Sequence, residues 1–262
     1  MSLEYPVTNG VAENGAVNKA ALGIVFAVPI EADAFARRAS GVTELEAGGL
    51  VFREGRVAGR GVAWCVAGVG REAAARAARR LILGHRPRLV VSAGFAGGLA
   101  PDLVRGSLIR AARVTLPDRS QELRLAHAVV TNGRDLTLVT ADRIVTTPAE
   151  KADLRAASGA DTVDMETFAV AEVAAAEGLP CGSLRVISDG AGQTLPREVA
   201  MLARPQSAMR RLGAAVGAIG RRPRAATDLW RLWEHAVVDG RTLAAALADL
   251  CGSLPESESV TP

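Results

Sequence analysis

The stretch from Val163 to Gly190 constrains this chain most, because it sets one carboxylate at each end of a helix–turn–strand unit. Glu166 falls in the first turn of a helix whose apolar and small residues, Phe168, Ala169, Val173 and Ala176, recur at helical spacing. The helix stops at Gly178-Leu179-Pro180, since glycine ends a helix readily and proline cannot continue one. The run Ser183–Ser188 that follows is short and apolar enough for the interior of a parallel sheet. Asp189 closes it, with Gly190 and Gly192 opening the backbone beyond. Open α/β sheets bind ligands at the carboxyl ends of their strands, so Asp189 stands where chemistry is expected.

A second carboxylate stands in a matching place. Ala21–Val28 is a continuous apolar run suited to a strand buried on both faces; Pro29, Ile30 and Glu31 follow, ahead of a helix predicted over Ala32–Arg38. Taken alone, Glu31 reads as a helix-start acid that complements the helix dipole. Gly48–Gly61 reads as two strands around turns, Val62–Ala67 as a strand, and Gly68-Val69-Gly70 as a turn into a helix over Arg71–Leu83. Gly68, Gly70 and Ala73 imitate a dinucleotide fingerprint, but no acidic ribose reader follows about 20 residues on, where the chain reads Arg88–Gly94. NAD binding is therefore rejected. Val90–Leu99 reads as a β-branched strand that breaks into Gly94, Gly97 and Gly98, either an ordinary turn or a set of free N–H groups for a sugar or an anion. Gly106–Val114 reads as one strand, and Ala128–Thr131 with Leu136–Thr140 as a hairpin over Asn132-Gly133. Thr147 is the expected cap of a helix that begins with Pro148.

Composition narrows the function classes. With 262 residues, 49% of them hydrophobic, the chain can bury one large core in a single domain with appendages. The net charge of +3 comes from arginine, because Lys19 and Lys151 are the only lysines, and its spread among 28 acids argues against a nucleic-acid groove. Cys65, Cys181 and Cys251 are odd in number and lack metal spacing, so they read as small core residues in a reducing compartment. No apolar run approaches the roughly 20 residues that span a bilayer, and no charged-then-apolar signal pattern opens the chain, so a cytoplasmic location is expected. His85, His127 and His235 lack companions, and no Gly-x-Ser-x-Gly or His-Glu-x-x-His pattern occurs, which argues against serine-hydrolase and metal chemistry. From Pro196 a helical tail is expected: it holds Met209–Ile219, the basic Arg221–Arg224, then helices over Ala226–Val238 and Thr242–Leu250. Trp230 and Trp233 beside those arginines can seat the protein on an anionic lipid surface; a helix covering the sheet or a subunit interface is the plainer reading.

Four stretches, Gly23–Glu31, Ser92–Leu99, Val163–Glu166 and Arg185–Asp189, resemble the ordered motifs of the nucleoside phosphorylase superfamily. Within it they are similar to methylthioadenosine/S-adenosylhomocysteine nucleosidases. Thr147–Lys151, the short middle region and the basic tail resemble the hopanoid-associated branch, which removes adenine from adenosylhopane. The resemblance runs from about Ala21 to Arg222 and implies a three-layer α/β/α sandwich with a mixed, mostly parallel central sheet. It also implies a homodimer, a small nucleoside substrate, and neither metal nor organic cofactor. The implied partition is a disordered segment 1–20, a catalytic domain 21–222, a helical extension 223–250 and a flexible tail 251–262.

The same resemblance assigns roles. Breaking an N-glycosidic bond builds positive charge on the ribose and negative charge on the departing base, so an acid is needed at the base and a nucleophile opposite. Asp189 matches the family's acid and would protonate or hydrogen-bond N7 of adenine, its pKa raised by apolar neighbours. Glu166 matches the ligand of the ribose hydroxyls, with Met165 packing on the sugar, and Glu31 matches the carboxylate that activates water. Val69, Phe95, Ala96, Gly97, Ile144, Val145 and Ser188 complete the expected pocket. Phe95 stands where nucleosidases carry a small hydroxyl residue and Ile144 where many stack an aromatic ring, which makes the pocket greasier and weakens the purine clamp. The phosphorylases resembled here place an arginine before the glycine-rich turn, whereas this chain has Val90-Val91-Ser92, so water is the favoured nucleophile unless Arg71 or a neighbouring subunit's arginine intervenes. The rivals are a phosphorylase of the same fold and a nucleoside-binding module without turnover.

Overall fold

A computed structural model describes residues 20–126, 135–195 and 223–255, and the side chains of the last segment from Glu234 on. Residues 1–19, His127, the Asn132-Gly133 turn and the tail from Pro196 to Arg222 lie outside the described residues.

The first strand explains the layering. In β1 (Leu22–Phe26), Leu22, Ile24 and Phe26 point into one apolar cluster and Val25 into another, which is why the run is apolar without a break. The first cluster is closed by α1 (Pro29–Ala36) and by the last helix, α5 (Pro223–Ser253), through Ala32, Phe35, Leu243 and Leu247. The second is closed by α2 (Arg71–His85) and α4 (Thr167–Ala176), through Ala74, Ala78, Leu81, Phe168 and Val170. The result is the expected three-layer α/β/α sandwich. At its centre β1 pairs in parallel with β4 (Arg60–Val66) and β5 (Leu89–Gly98), and β5 pairs in parallel with β11 (Cys181–Asp189). An antiparallel ribbon, β2 (Ser40–Ala47) and β3 (Leu50–Val57), extends one side through β4. On the other side β10 (Thr162–Asp164), β9 (Thr137–Thr140), β7 (Arg113–Thr115) and β8 (Glu122–Arg124) follow in that order, while β6 (Leu108–Ile109) pairs with β11. No described helix is long and apolar enough to cross a membrane.

Several expected boundaries move, each for a physical reason. Helix α1 begins at Pro29, whose fixed φ suits a first helical position, so Glu31 lies inside the helix rather than ahead of it. Strand β2 had no apolar alternation to reveal it, because nearly all its residues are exposed. Strand β5 does not break at its glycines but runs through Gly98: β11 follows one edge as far as Gly97, and β10 joins the other at Gly97 and Gly98. A side chain at Gly97 would stand 3.1 Å from Val163, so close packing, not a free turn, explains that glycine. Gly106–Val114 divides into β6 and β7, which pair with different neighbours. The described arm of the expected Asn132-Gly133 hairpin, β9, pairs in parallel with β7 and β10. The two C-terminal helices are one, and it ends at Ser253; Cys251 and Leu254 are buried in the core, so the expected flexible tail does not begin at 251. Within the helix, the spacing of Leu243, Leu247, Leu250 and Cys251 gives α5 a continuous apolar stripe.

Candidate active site

The carboxyl ends of β1, β5, β10 and β11 open onto one cavity of about 480 Å³, a size suited to a small organic ligand. All eleven residues singled out from the sequence line it. Glu31 reaches it from α1, Val69 from the turn before α2, and Phe95, Ala96 and Gly97 from β5. Ile144 and Val145 come from the segment before α3 (Pro148–Ser158), Met165 and Glu166 from the start of α4, and Ser188 and Asp189 from the end of β11. Ala27, Val28, Ile30, Val163, Leu195 and Ala236 make most of the remaining wall apolar, and His235 and Asp239 bring α5 to its rim.

Backbone donors fix Glu31. Its Oε2 accepts the N–H groups of Ala27 and Val28 at 2.9 and 3.0 Å, and its Oε1 accepts that of Phe95 at 2.8 Å. The helix-start role and the cavity role thus belong to the same carboxylate, which caps its own helix and bridges to β5. Burial pushes its carboxyl above the ordinary value of 4.5, against the pull of Arg185 and of those three N–H groups. Glu166 is the N-cap of α4 rather than part of its first turn, and its Oε1 accepts the Gly70 N–H at 2.8 Å. That bond gives the Gly68–Gly70 turn its purpose: Gly70 has φ of +100°, where glycine is at ease, and presents its amide to the carboxylate. Burial first, then the Asp164 charge, push the Glu166 carboxyl up to about 7, opposed by Arg185 and the Gly70 amide.

Beneath these two lies a buried polar knot that sequence reasoning missed. Arg185, 1% exposed, donates to Ser92 Oγ at 2.5 Å, Asp164 Oδ2 at 2.6 Å and Thr167 Oγ1 at 2.7 Å. Thr140 binds the other oxygen of Asp164 at 2.7 Å. The same guanidinium favours the ionised forms of Glu31 and Glu166, but burial outweighs it at both. Arg185 sits in an apolar strand, where its alternation with Leu184 and Val186 was the available signal.

The surroundings of Asp189 correct one expectation. It is not shielded by apolar neighbours: Lys151 Nζ lies 2.5 Å from its Oδ2, and Ser188 Oγ 2.6 Å from its Oδ1. Lys151 belongs to α3, whose start is the expected Thr147 cap and Pro148, reinforced by Glu150 reaching back to Thr146 and Thr147. His85 also differs from expectation, since its Nδ1 pairs with Glu54 at 2.5 Å. The three cysteines are free and buried.

The model of the family described as "Phosphorylase superfamily" matches residues 21–135 and 124–220. The chain belongs to the phosphorylase superfamily. Among curated proteins it is similar to the futalosine hydrolase of Streptomyces coelicolor, 36% identical over 128 residues that cover 40% of this chain and 54% of that protein. It is also similar to the 5'-methylthioadenosine/S-adenosylhomocysteine nucleosidase of Actinobacillus succinogenes, 35% identical over 88 residues, 34% of this chain and 38% of that one. The chain thus matches about half or less of these relatives' length. Solved structures share the superfamily fold at greater length. The Campylobacter jejuni 5'-methylthioadenosine/S-adenosylhomocysteine nucleosidase superposes with TM-score 0.69 at 17% identity, over 90% of this chain and 100% of that one. The Helicobacter pylori futalosine hydrolase superposes with TM-score 0.66 at 20% identity, over 88% and 96%.

Proposed function

We propose that this superfamily member is a nucleosidase that hydrolyses the N-glycosidic bond of a 5'-substituted adenine nucleoside of the methylthioadenosine, S-adenosylhomocysteine or adenosylhopane type. One observation carries the reading: Glu31, Glu166 and Asp189, from three distant segments, line a single cavity whose wall is mostly apolar. A binding module would not need three buried carboxylates, each of which resists burial unless it is used. In the reaction the bond between the sugar C1' and the base nitrogen breaks, and its electron pair leaves with the base. Asp189, held from two sides, would hydrogen-bond N7 and pass it a proton drawn from solvent as charge builds, balanced by the proton that Glu31 afterwards returns to solvent. Water would attack C1' from the opposite face and give its proton to Glu31, whose ionised form the three backbone N–H groups and Arg185 favour. Glu166 would bind the ribose hydroxyls, with Met165 against the sugar.

Phosphate is the weaker nucleophile candidate. Arg71 pairs with Asp142 at 2.7 Å and does not line the cavity, while Arg143, which does, pairs with Glu150 at 2.6 Å. Val69, Phe95 and Ile144 favour an apolar 5'-substituent. We also carry forward a cytoplasmic homodimer, which equilibrium sedimentation tests. Lipid contact belongs to this proposal only for the chain ahead of Leu243, since Leu243, Leu247 and Leu250 of α5 are buried against the sheet; flotation unchanged after replacing Arg221, Arg222 and Arg224 would remove it. The deciding assay is release of adenine from methylthioadenosine, S-adenosylhomocysteine and a lipid-linked adenosine, with and without phosphate. Release without phosphate supports a nucleosidase, release only with phosphate makes the protein a phosphorylase, and binding without release makes it a binding module.

A further inference from the structure

We propose that Lys151 is a positioning residue for this reaction, locking the Asp189 carboxylate and the cavity loop after it into one arrangement; the inference rests on the nucleosidase reading. The ammonium is buried and meets three acceptors: Asp189 Oδ2 at 2.5 Å, Gly190 O at 2.7 Å and Gln193 O at 2.9 Å. An ammonium has three N–H donors, so every one is used, and Lys151 does not line the cavity. It therefore reaches a bound base only through Asp189. Ser188 holds the other carboxylate oxygen at 2.6 Å, so rotation of the carboxylate is blocked from both sides.

The same ammonium ties down the loop. Gly190 and Gln193 bond each other twice, through Gln193 N–H to Gly190 O at 3.1 Å and Gly190 N–H to Gln193 Oε1 at 2.9 Å. Leu195, which lines the cavity, donates its N–H to Thr146 O at 2.8 Å, beside the capped start of α3. The chain uses lysine only twice and arginine everywhere else, and here the choice is physical: a compact ammonium fits three convergent acceptors that a planar guanidinium fork does not. Removing it would leave a buried carboxylate unpaired and a cavity wall untied.

The test is steady-state kinetics on the full chain for Lys151→Met, Asp189→Asn and the double variant, with adenine release as the readout. Lys151→Met is expected to lower kcat by roughly 10²-fold, the scale of a misplaced reacting group, while KM changes little. In the Asp189→Asn background the loss in kcat is expected to shrink to a few-fold, the share of the untied loop, because the rest passes through the carboxylate already altered. Wild-type kcat in Lys151→Met, or losses that multiply in the double variant, would overturn the proposal. If Lys151→Met alone does not fold, the charge-balanced double variant against Asp189→Asn decides: a kcat equal or lower by only a few-fold supports the proposal and a further drop of about 10²-fold overturns it. Failure of the nucleosidase reading looks different, as a wild type that releases no base or an Asp189→Asn variant with full turnover, and the proposal falls with it.

Discussion

Glu166→Gln should stabilise the protein above neutral pH and change little in mild acid. Glu166 is 7% exposed, and burial with the adjacent Asp164 charge raises its carboxyl from 4.5 to about 7. Between those values the folded protein keeps a proton that the unfolded chain has released, so stability falls as pH rises through that window and is fully retained below it. At about 1.4 kcal/mol per pH unit, the penalty reaches about 3 kcal/mol once pH is well above 7. Glutamine carries no charge and still offers an oxygen to the Gly70 N–H. The Glu31 charge adds to the rise at Glu166, so neutralising Glu166 also relieves Glu31, an effect of the same sign. Urea unfolding of wild type and variant, at about pH 5 and about pH 8, should show the variant's advantage growing by about 2 kcal/mol. A difference that stays constant, or that grows toward acid, would refute the electrostatic account of the knot around Arg185.

The other predictions concern neighbouring parts. Because Glu31 must be ionised to take a proton from water and burial raises its pKa, kcat/KM should fall on the acid side at a pH above the ordinary 4.5. Glu31→Gln should lose turnover by 10²-fold or more while still binding a non-hydrolysable nucleoside, as calorimetry would show. Gly70→Ala should cost about 1–3 kcal/mol by forcing a side chain to φ of +100°, and should raise KM by shifting the amide that Glu166 accepts. Leu247→Ala should cost about 2–5 kcal/mol in denaturant unfolding, because Leu247 is fully buried in the core that α5 closes; a near-zero change would make α5 an appendage after all.

What could be read in advance followed from local rules. Apolar runs marked β1 and β11, and Thr147-Pro148 marked the start of α3, because burial on both faces and capping leave their trace in adjacent residues. Asp189 was legible because it closes a strand, and this architecture gathers strand ends on one side; the other cavity residues followed from the family resemblance. What stayed hidden depends on distant partners. Strand β2 is exposed, so no pattern betrays it. The glycines of β5 look like a turn until β10 and β11 close on its edges. Asp239-Gly240 looks like a break in the last helix, yet Gly240 is where α5 approaches α1: a side chain there would meet Ile30 O at 3.0 Å, and Asp239 pairs with Arg105. Lys151 and Asp189 are 38 residues apart, and nothing adjacent to either in the sequence signals that they pair.

The most direct test is to supply methylthioadenosine in ¹⁸O-labelled water with phosphate also present, and to follow the sugar product by mass spectrometry. Attack by water predicts free adenine and a sugar carrying one labelled oxygen at its anomeric carbon. An unlabelled sugar 1-phosphate, or a nucleoside recovered intact, would contradict it.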